Sequence, residues 1–493
     1  MAEGWTYDLK PGFYARIGTV QAYLGDDMDF DIREKSACFV RLNAADNVLT
    51  LPEGGMSGSF VSDFRLRDDI PPLHKTASED IAPGGAVVRY GRGIALAARE
   101  IKKGEWVHSH NAVSFGLEAK TPEWRLPYPG ARGSSKGTFM GYRRRGAIRP
   151  GVRSDLWVIS SAACIREELR YILKNYHKPY WIDSVRLVEY PFGCEGDEAV
   201  SDVLTGLARN PNAAGVLFVG LGCENISASD LYSRAIEGDC RAMFTVLRKN
   251  SEDLTPRMLD DLASAVPRVR EEFPLSRLCV GMVFSDGCAG ISANPLLGLF
   301  ADRLSSEGGS VLMPCSPEMF RFPGVIVGKM TKKSVYDEFS SLAGENGAAV
   351  SISSEDLGCG ITTAEEKCAA ALSCMGESPV TNIVRSGETP VSEPGIQLTP
   401  VCSGDPTSCT SLAAAGAQMI LFAASLGTPF GSVVPTIKIA ASSEEARKHP
   451  NWTDFDAGTV LEGEPVEDVC ERLWAFVMAA ARGGKVSHEM KGY

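Results

Sequence analysis

Two runs, DLWVISSAACI and AGVLFVGLGCEN, constrain the fold more than anything else in the chain. Each is a continuous apolar stretch that ends in small or polar residues. A strand with one wet face alternates apolar and polar side chains, whereas a strand covered on both faces is apolar throughout, as in a parallel sheet. Segments with helical spacing, IREELRYILKNYH and DLYSRAIEGDCRAMFTVLRKN, lie between and after them. Alternating β and α segments predict an α/β domain over residues 139–274. Ligands of such sheets gather beyond the carboxyl ends of the strands, where Cys164 and Cys223 fall.

The same texture returns from 275 to 493, with apolar runs (LCVGMVF, GAQMILFAAS, VVPTIKIA) set among helices (PLLGLFADRLSSEG, CERLWAFVMAAARGG). Residues 1–118 differ. DNVLTL, AVVRYG, GIALAAREI and EWVHSHN are short β-type runs broken by Gly, Pro and Asp, which predicts a small β-rich module. The Pro- and Gly-rich stretch over 119–138 reads as a linker. The expected architecture is therefore α/β: a small β-rich N-terminal module followed by two α/β domains. A chain of 493 residues is too long for one ordinary core.

Partners are bounded by charge and hydropathy. A net charge of −12 without a basic stripe argues against nucleic acid. The densest positive spot, Arg143-Arg144-Arg145, reads equally as a solvated loop or a binding patch. No apolar run approaches the roughly 20 residues of a membrane helix. The first residues carry no basic region followed by an apolar core, so a cytoplasmic location is expected. Fourteen cysteines in a chain this long fit reduced thiols better than a disulfide scaffold.

Several residue sets could carry chemistry. If WVHSHN is a strand, His108 and His110 share a face, because side chains alternate with period two. They then form either a metal or acid–base site or a polar strand end. His74-Lys75 would add a third basic group. Cys164, Cys194 and Cys223 sit in SAACI, PFGCEGDE and GLGCEN. No Cys-x-x-Cys pair is present, which argues against a zinc ribbon, and three strand-end loops could either converge or leave inert buried thiols. Thiolates select iron or zinc over magnesium. YGRGIALAA lacks the glycine pattern and βαβ context of a dinucleotide loop. GCGITTAEEK, SLGTPFGSVVPTIKIA and WTDFDAG are Gly-turn loops that could present N–H groups to a carboxylate or act as tight turns.

The ordered strings HKTASEDIAPGGAVVRYGRGIALAAREIKKGEWVHSHN, FMGYRRRGAIRPGVRSDLWVISSAACI, PNAAGVLFVGLGCEN, ISANPLLGLFADRLSSEGGSVLM, GITTAEEK, GTPFGSVVPTIKIA and WTDFDAG resemble the altronate/galactarate dehydratase family from about residue 40 onward. The resemblance implies a SAF-like N-terminal module. It also implies an iron-dependent hydro-lyase that removes water from a sugar acid such as D-altronate, leaving a 2-keto-3-deoxy acid. The implied metal ligands are Cys164, Cys194 and Cys223, with Cys288 as a further thiol, around Fe2+ or an iron–sulfur cluster. His74, Lys75, His108, His110 and Asp286 are the implied acid–base groups. Ser285, Asn294, Thr362, Thr363, Thr428 and Lys438 are the implied substrate contacts. The partner is then a small sugar acid, and a homodimer is left open.

Some loops depart from the family pattern. MVFSDGCAGISANP keeps Ser285 and Asp286 but lacks the preceding Cys-Gly-Gly. SEDLGCG lacks a lysine, and Ser425-Leu426-Gly427 lacks an arginine. These changes leave open another 2-hydroxy acid, of galactarate or sulfolactate type, or a binding protein that has lost the chemistry.

Overall fold

The computed structural model describes residues 37–116, 121–125, 127–130, 137–144, 146–189, 194–237, 240–249, 254–285, 287–345, 350–389, 392–401 and 405–491, together with the backbone of three earlier strands. The described chain forms two compact units. Among the described residues no helix is long and apolar enough to cross a membrane.

The N-terminal unit is built from short strands. Tyr14–Ile17, Val20–Leu24 and Phe30–Glu34 form an antiparallel meander. Val48–Thr50, Lys75–Ala77 and Trp106–Val107 form a second three-stranded sheet with Lys75–Ala77 in the middle. Ala86–Arg89, Arg92–Ala97 and Ala112–Val113 form a third. Leu49, Leu51, Val61, Phe64, Leu66 and Ile70 fill a small core. Two distant stretches, 352–366 and 461–463, belong to this unit, although the sequence reading sets them within 275–493. The Thr363 hydroxyl donates to the Ile94 carbonyl at 2.6 Å, and the Lys75 ammonium donates to the Gly360 carbonyl at 2.6 Å.

The other unit holds both α/β segments. A four-stranded sheet runs in the order Val185–Val188, Asp155–Ser160, Ala213–Gly220, Ala242–Val246, all parallel. A seven-stranded sheet, also parallel, runs Val380–Ile383, Gly395–Thr399, Ser310–Pro314, Cys279–Val283, Met419–Ala424, Thr436–Ala440, Phe455–Asp456. Every residue of Asp155–Ser160 is buried, as its apolar text requires. Its alternation divides two cores. Trp157 and Ile159 join a cluster that includes Phe218, Leu412, Ile420 and Phe422, which ties the two sheets together. Leu156 and Val158 face the other way, onto Leu169, Leu259 and Leu262. Each such side chain contributes roughly 1.5–3 kcal/mol on burial.

One expectation is corrected. DLYSRAIEGDCRAMFTVLRKN is not helical throughout: the helix is Ala228–Ile236, and Ala242–Val246 is the edge strand beside Val216–Gly220. Met, Phe, Thr and Val suit a pleated surface, and pairing to a buried strand satisfies their backbone groups.

Buried amides set the strand starts. Asn212 donates to the Gln418 carbonyl at 2.7 Å and accepts from the Val152 and Arg153 N–H groups. Gln418 accepts from Cys279 N–H at 2.6 Å and donates to the Pro150 carbonyl at 2.6 Å. This pins the first residues of strands from both sheets to one another. Their carboxyl ends are left to carry the loops of interest.

Candidate active site

In the N-terminal unit, His74 and Lys75 lead into the central strand, and His108 follows the neighbouring one. The WVHSHN strand covers only Trp106–Val107, so His108 and His110 do not alternate along a strand. Asn111 closes a turn instead. Its side-chain oxygen accepts from His108 N–H at 3.0 Å, and its amide donates to the Trp106 carbonyl at 2.8 Å. The turn still stacks the rings: His74 and His108 have centroids 5.5 Å apart, and His108 and His110 6.5 Å. Trp106 contacts all three.

Two of these imidazoles, His74 and His108, are held neutral. Burial is the main cause for His74, with the Lys75 and Arg89 charges adding to it. The pKa of His108 is lowered to about 4 by burial and by Lys75, His74 and His110. His74 Nδ1 lies 2.9 Å from the Pro72 carbonyl. A carbonyl only accepts, so that nitrogen carries the proton, and Nε2 keeps a lone pair for a proton or a metal.

Beneath the rings lies a closed ion triad that sequence reasoning missed. Glu366 accepts from Lys75 at 2.9 Å and from Arg89 at 2.8 Å, and all three side chains are at most 1% exposed. Thr362 N–H adds a third bond to the carboxylate at 2.9 Å, and the Thr362 hydroxyl a fourth at 3.3 Å. Burial works against the Glu366 charge, but Lys75 and Arg89 outweigh it and hold its pKa below the usual carboxylate range. Burial lowers the Lys75 pKa despite Glu366. Lys75 is thus enclosed beneath the imidazoles. The Thr363 hydroxyl accepts from Glu366 N–H at 3.1 Å besides donating to Ile94, so both of its roles are taken by the fold.

In the α/β unit, three loops at the carboxyl edge of the four-stranded sheet carry Cys164, Cys194 and Cys223. The Cys164 and Cys194 sulfurs are 3.9 Å apart. The Cys194 thiol is raised by its hydrogen bond with Cys164, by burial, and by the nearby Cys164 and Cys223 charges. Crowded thiols resist deprotonation for the reason that a bound cation would favour it: the cation supplies the missing positive charge. Cys164 and Cys223 are exposed, and Cys194 is half-buried. Among the described residues no three ligating side chains already enclose a metal ion. The donor set nevertheless fits a thiolate-bound iron in kind.

The Cys223 turn is shaped by Glu224. Its Oε2 accepts from the N–H groups of Leu221, Gly222 and Cys223 at 3.1, 2.7 and 3.1 Å, and its Oε1 accepts from Ser161 at 3.1 Å. Burial opposes this charge, but the backbone donors outweigh it and lower the pKa. Gly220 makes room: a Cβ there would stand 2.1 Å from Glu224 Oε1.

The other implied residues lie around the seven-stranded sheet. Asn294 is fully buried and donates to the Ser285 and Ala370 carbonyls, while its oxygen lies 3.4 Å from Ser285 N–H. It therefore shapes the loop after Cys279–Val283, which also carries Cys288 in the turn Gly287–Gly290. Asp286 lies outside the described residues. The Thr428 hydroxyl accepts from Phe430 N–H. Lys438 is 2% exposed, and its ammonium meets no hydrogen-bond partner among the described residues. In the arginine run, Arg143 pairs with Glu271 and Arg144 donates to the Pro211 and Arg153 carbonyls. Arg145 is outside the described residues. The structure thus groups the three imidazoles in one unit and the three thiols in the other. Cys288, Ser285, Thr428 and Lys438 attach to the second sheet.

Comparison with known proteins agrees with this architecture along the chain. Residues 37–114 match the altronate/galactarate dehydratase SAF domain. Residues 141–270 match the second domain of D-galactarate dehydratase/altronate hydrolase, and 275–493 match the D-galactarate/altronate dehydratase C-terminal domain. The chain is 30% identical to altronate dehydratase of Bacillus subtilis (strain 168), over 92% of this chain and 97% of the relative. It is 29% identical to altronate dehydratase of Escherichia coli (strain K12), with the same coverages. It is 27% identical to the L-threo-forming galactarate dehydratase of that strain, over 93% of this chain and 95% of the relative. The chain belongs to the altronate/galactarate dehydratase family.

Proposed function

We propose that the protein is a hydro-lyase that removes water from a sugar acid of the D-altronate type to give a 2-keto-3-deoxy acid, with iron held by Cys164, Cys194 and Cys223. The observation that carries the reading is the full-length relationship to two altronate dehydratases, joined to the gathering of three thiols at one sheet edge.

Dehydration across C2 and C3 removes the C2 proton and the C3 hydroxyl, and the resulting enol becomes the ketone. Iron bound at the thiols would supply Lewis acidity toward an oxygen of the substrate. The chain's residues divide the remaining work. A neutral imidazole is the form that can take a proton, and His74 and His108 are both neutral at pH 7 with low proton affinity in the free protein. The Pro72 carbonyl fixes the tautomer of His74. Lys75, Arg89 and Glu366 hold the strand and the loop beneath the rings rather than titrating against solvent. Glu224 holds the Cys223 loop.

A second reading rests on the loops that lack the family's lysine and arginine, SEDLGCG and SLGTP. It keeps the hydro-lyase fold and changes the acid. The abundance of reduced thiols supports a cytoplasmic setting. The test is anaerobic purification with iron and sulfide analysis, followed by turnover of D-altronate, galactarate and sulfolactate. Iron with a 2-keto-3-deoxy product from D-altronate is expected. Iron with a different product shifts the substrate. No iron and no turnover after reconstitution refutes the proposal.

A further inference from the structure

The three thiols at the carboxyl edge of the four-stranded sheet are held in different ways. Cys164 lies in the single turn Ala163–Ile165 that leads into the helix Arg166–Asn175, and it is exposed. Cys194 and Cys223 stand on two loops that Asn225 clips together. Asn225 N–H donates to the Cys194 carbonyl at 3.1 Å. Its side-chain amide donates to the Gly196 carbonyl at 2.8 Å, and its side-chain oxygen accepts from Gly196 N–H at 2.9 Å. Glu224 fixes the Cys223 side of the clip by accepting from Cys223 N–H at 3.1 Å. Two thiols thus sit on backbone that is pinned from both sides, and the third approaches them from a separate element.

The close sulfur contact crosses between those elements. Cys164 and Cys194 are 30 residues apart in the chain, yet their sulfurs are 3.9 Å apart. A disulfide holds its sulfurs about 2.05 Å apart, so this pair must close by roughly 1.9 Å. Shared between two side chains, that is about 0.9 Å each, the scale of a modest change in χ1. Reagents can reach the pair, since Cys164 is exposed and Cys194 half-buried, whereas Cys279, Cys315 and Cys409 are buried. Oxidation follows access as well as proximity.

We propose that Cys164 and Cys194 are a redox pair: exchange with a small aliphatic disulfide, of the oxidised-glutathione class, closes them into a reversible disulfide and leaves Cys223 a free thiol. The exposed Cys164 thiolate attacks one sulfur of the small disulfide and expels one thiolate. The Cys194 thiolate then attacks the Cys164 sulfur of the mixed disulfide and expels the second. Two protein thiols are oxidised, one small disulfide is reduced to two thiols, and the protons lost by the cysteines pass to the departing thiolates. The closed form spends two of the three sulfurs assigned to iron, so the disulfide and the metal exclude one another. The pair itself rests on the thiol geometry alone; its effect on iron rests on the function proposed above.

The test uses the full chain, reduced, stripped with a chelator and then exposed anaerobically to oxidised glutathione. Peptide mass spectrometry without reduction should find Cys164 joined to Cys194, with Cys223 free or carrying glutathione. Cys223→Ser should close the same bond. Cys164→Ser should form no link and should hold glutathione on Cys194 instead. Wild type that stops at mixed disulfides, that joins Cys194 to Cys223, or that does not react overturns the pair. Ferrous iron added to the closed form should be taken up at least roughly tenfold less than by the reduced form, and dithiothreitol should restore uptake. Equal uptake by closed and reduced chains overturns the exclusion. If the reduced chain takes up no iron either, the iron reading fails, and the linked peptide still decides the pair.

Discussion

Glu366 stands between two fully buried cations, Lys75 and Arg89. With Lys75 and Arg89 protonated, the triad sums to one positive charge. Glu366→Gln raises the sum to two and removes two charge-assisted bonds while keeping the side-chain volume. Removing one partner of a buried pair costs about 3–5 kcal/mol. Lys75→Met instead leaves a neutral Arg89–Glu366 pair and forfeits the bond to the Gly360 carbonyl, a loss of about 1–2 kcal/mol. The sharper expectation is a change of sign. Lys75→Met should destabilise the wild-type chain but stabilise the Glu366→Gln chain, because there it removes one of two unpaired cations. Raising the pH should shrink that reversal, since burial lowers the Lys75 pKa and the Glu366→Gln chain lacks the carboxylate that opposes the shift. Hydrogen exchange of the Lys75–Ala77 and Arg92–Ala97 amides in the full chain reads local stability without requiring global two-state unfolding. If Lys75→Met deepens the loss in the Glu366→Gln background, the electrostatic account of this triad is wrong.

Other outcomes follow from the thiol loops and from a buried histidine, His488. Cys194→Ser should lower iron per chain after anaerobic reconstitution, and full iron content would remove the thiols from the proposal. Gly220→Ala should push Glu224 out of the Cys223 turn, costing roughly 1–3 kcal/mol; unchanged thiol reactivity and iron content would show that the turn does not depend on that carboxylate. His488 titrates at about 4 in the fold and near 6.5 unfolded, so between these values the unfolded chain binds a proton that the folded chain refuses. Stability should therefore fall as pH drops from 6.5 to 4, by up to roughly 3 kcal/mol. Urea midpoints across that window should show the slope in wild type and a shallower one in His488→Gln. Glu366 and Glu489, both lowered, add a further loss below about pH 4.5 as they protonate; a midpoint flat from pH 7 to 4.5 would contradict the histidine effect, and one that stayed flat on further acidification would contradict the carboxylate effect.

Sequence revealed the parts of this protein whose causes are local. Asp155–Ser160 and Cys279–Val283 were readable as buried strands because cover on both faces leaves no polar alternation. The thiols could be marked as candidates because strand ends are visible in the text, although only the fold brings Cys164 to 3.9 Å from Cys194. Ala242–Val246 was misread because its five residues follow a helix and lack an alternation of their own. Glu366 was missed for another reason: in TAEEK it looks like an ordinary first-turn acid, and nothing local announces two cations 277 and 291 residues away. His488 in SHEM gave no signal. Lys438 gave one, a lysine inside an otherwise apolar strand.

The separation of Lys75 from Glu366 also bears on how the chain is made. The 291 residues between them take roughly 15–60 s to synthesise at 5–20 residues per second. For most of that interval the strands of the N-terminal unit have been made, but the carboxylate that neutralises their interior has not. Lys75 and Arg89 must stay hydrated until it arrives, so the first module to emerge is among the last to close. Nascent chains arrested near residue 130 should accordingly leave the Lys75 strand open to protease, and chains arrested beyond residue 410 should protect it.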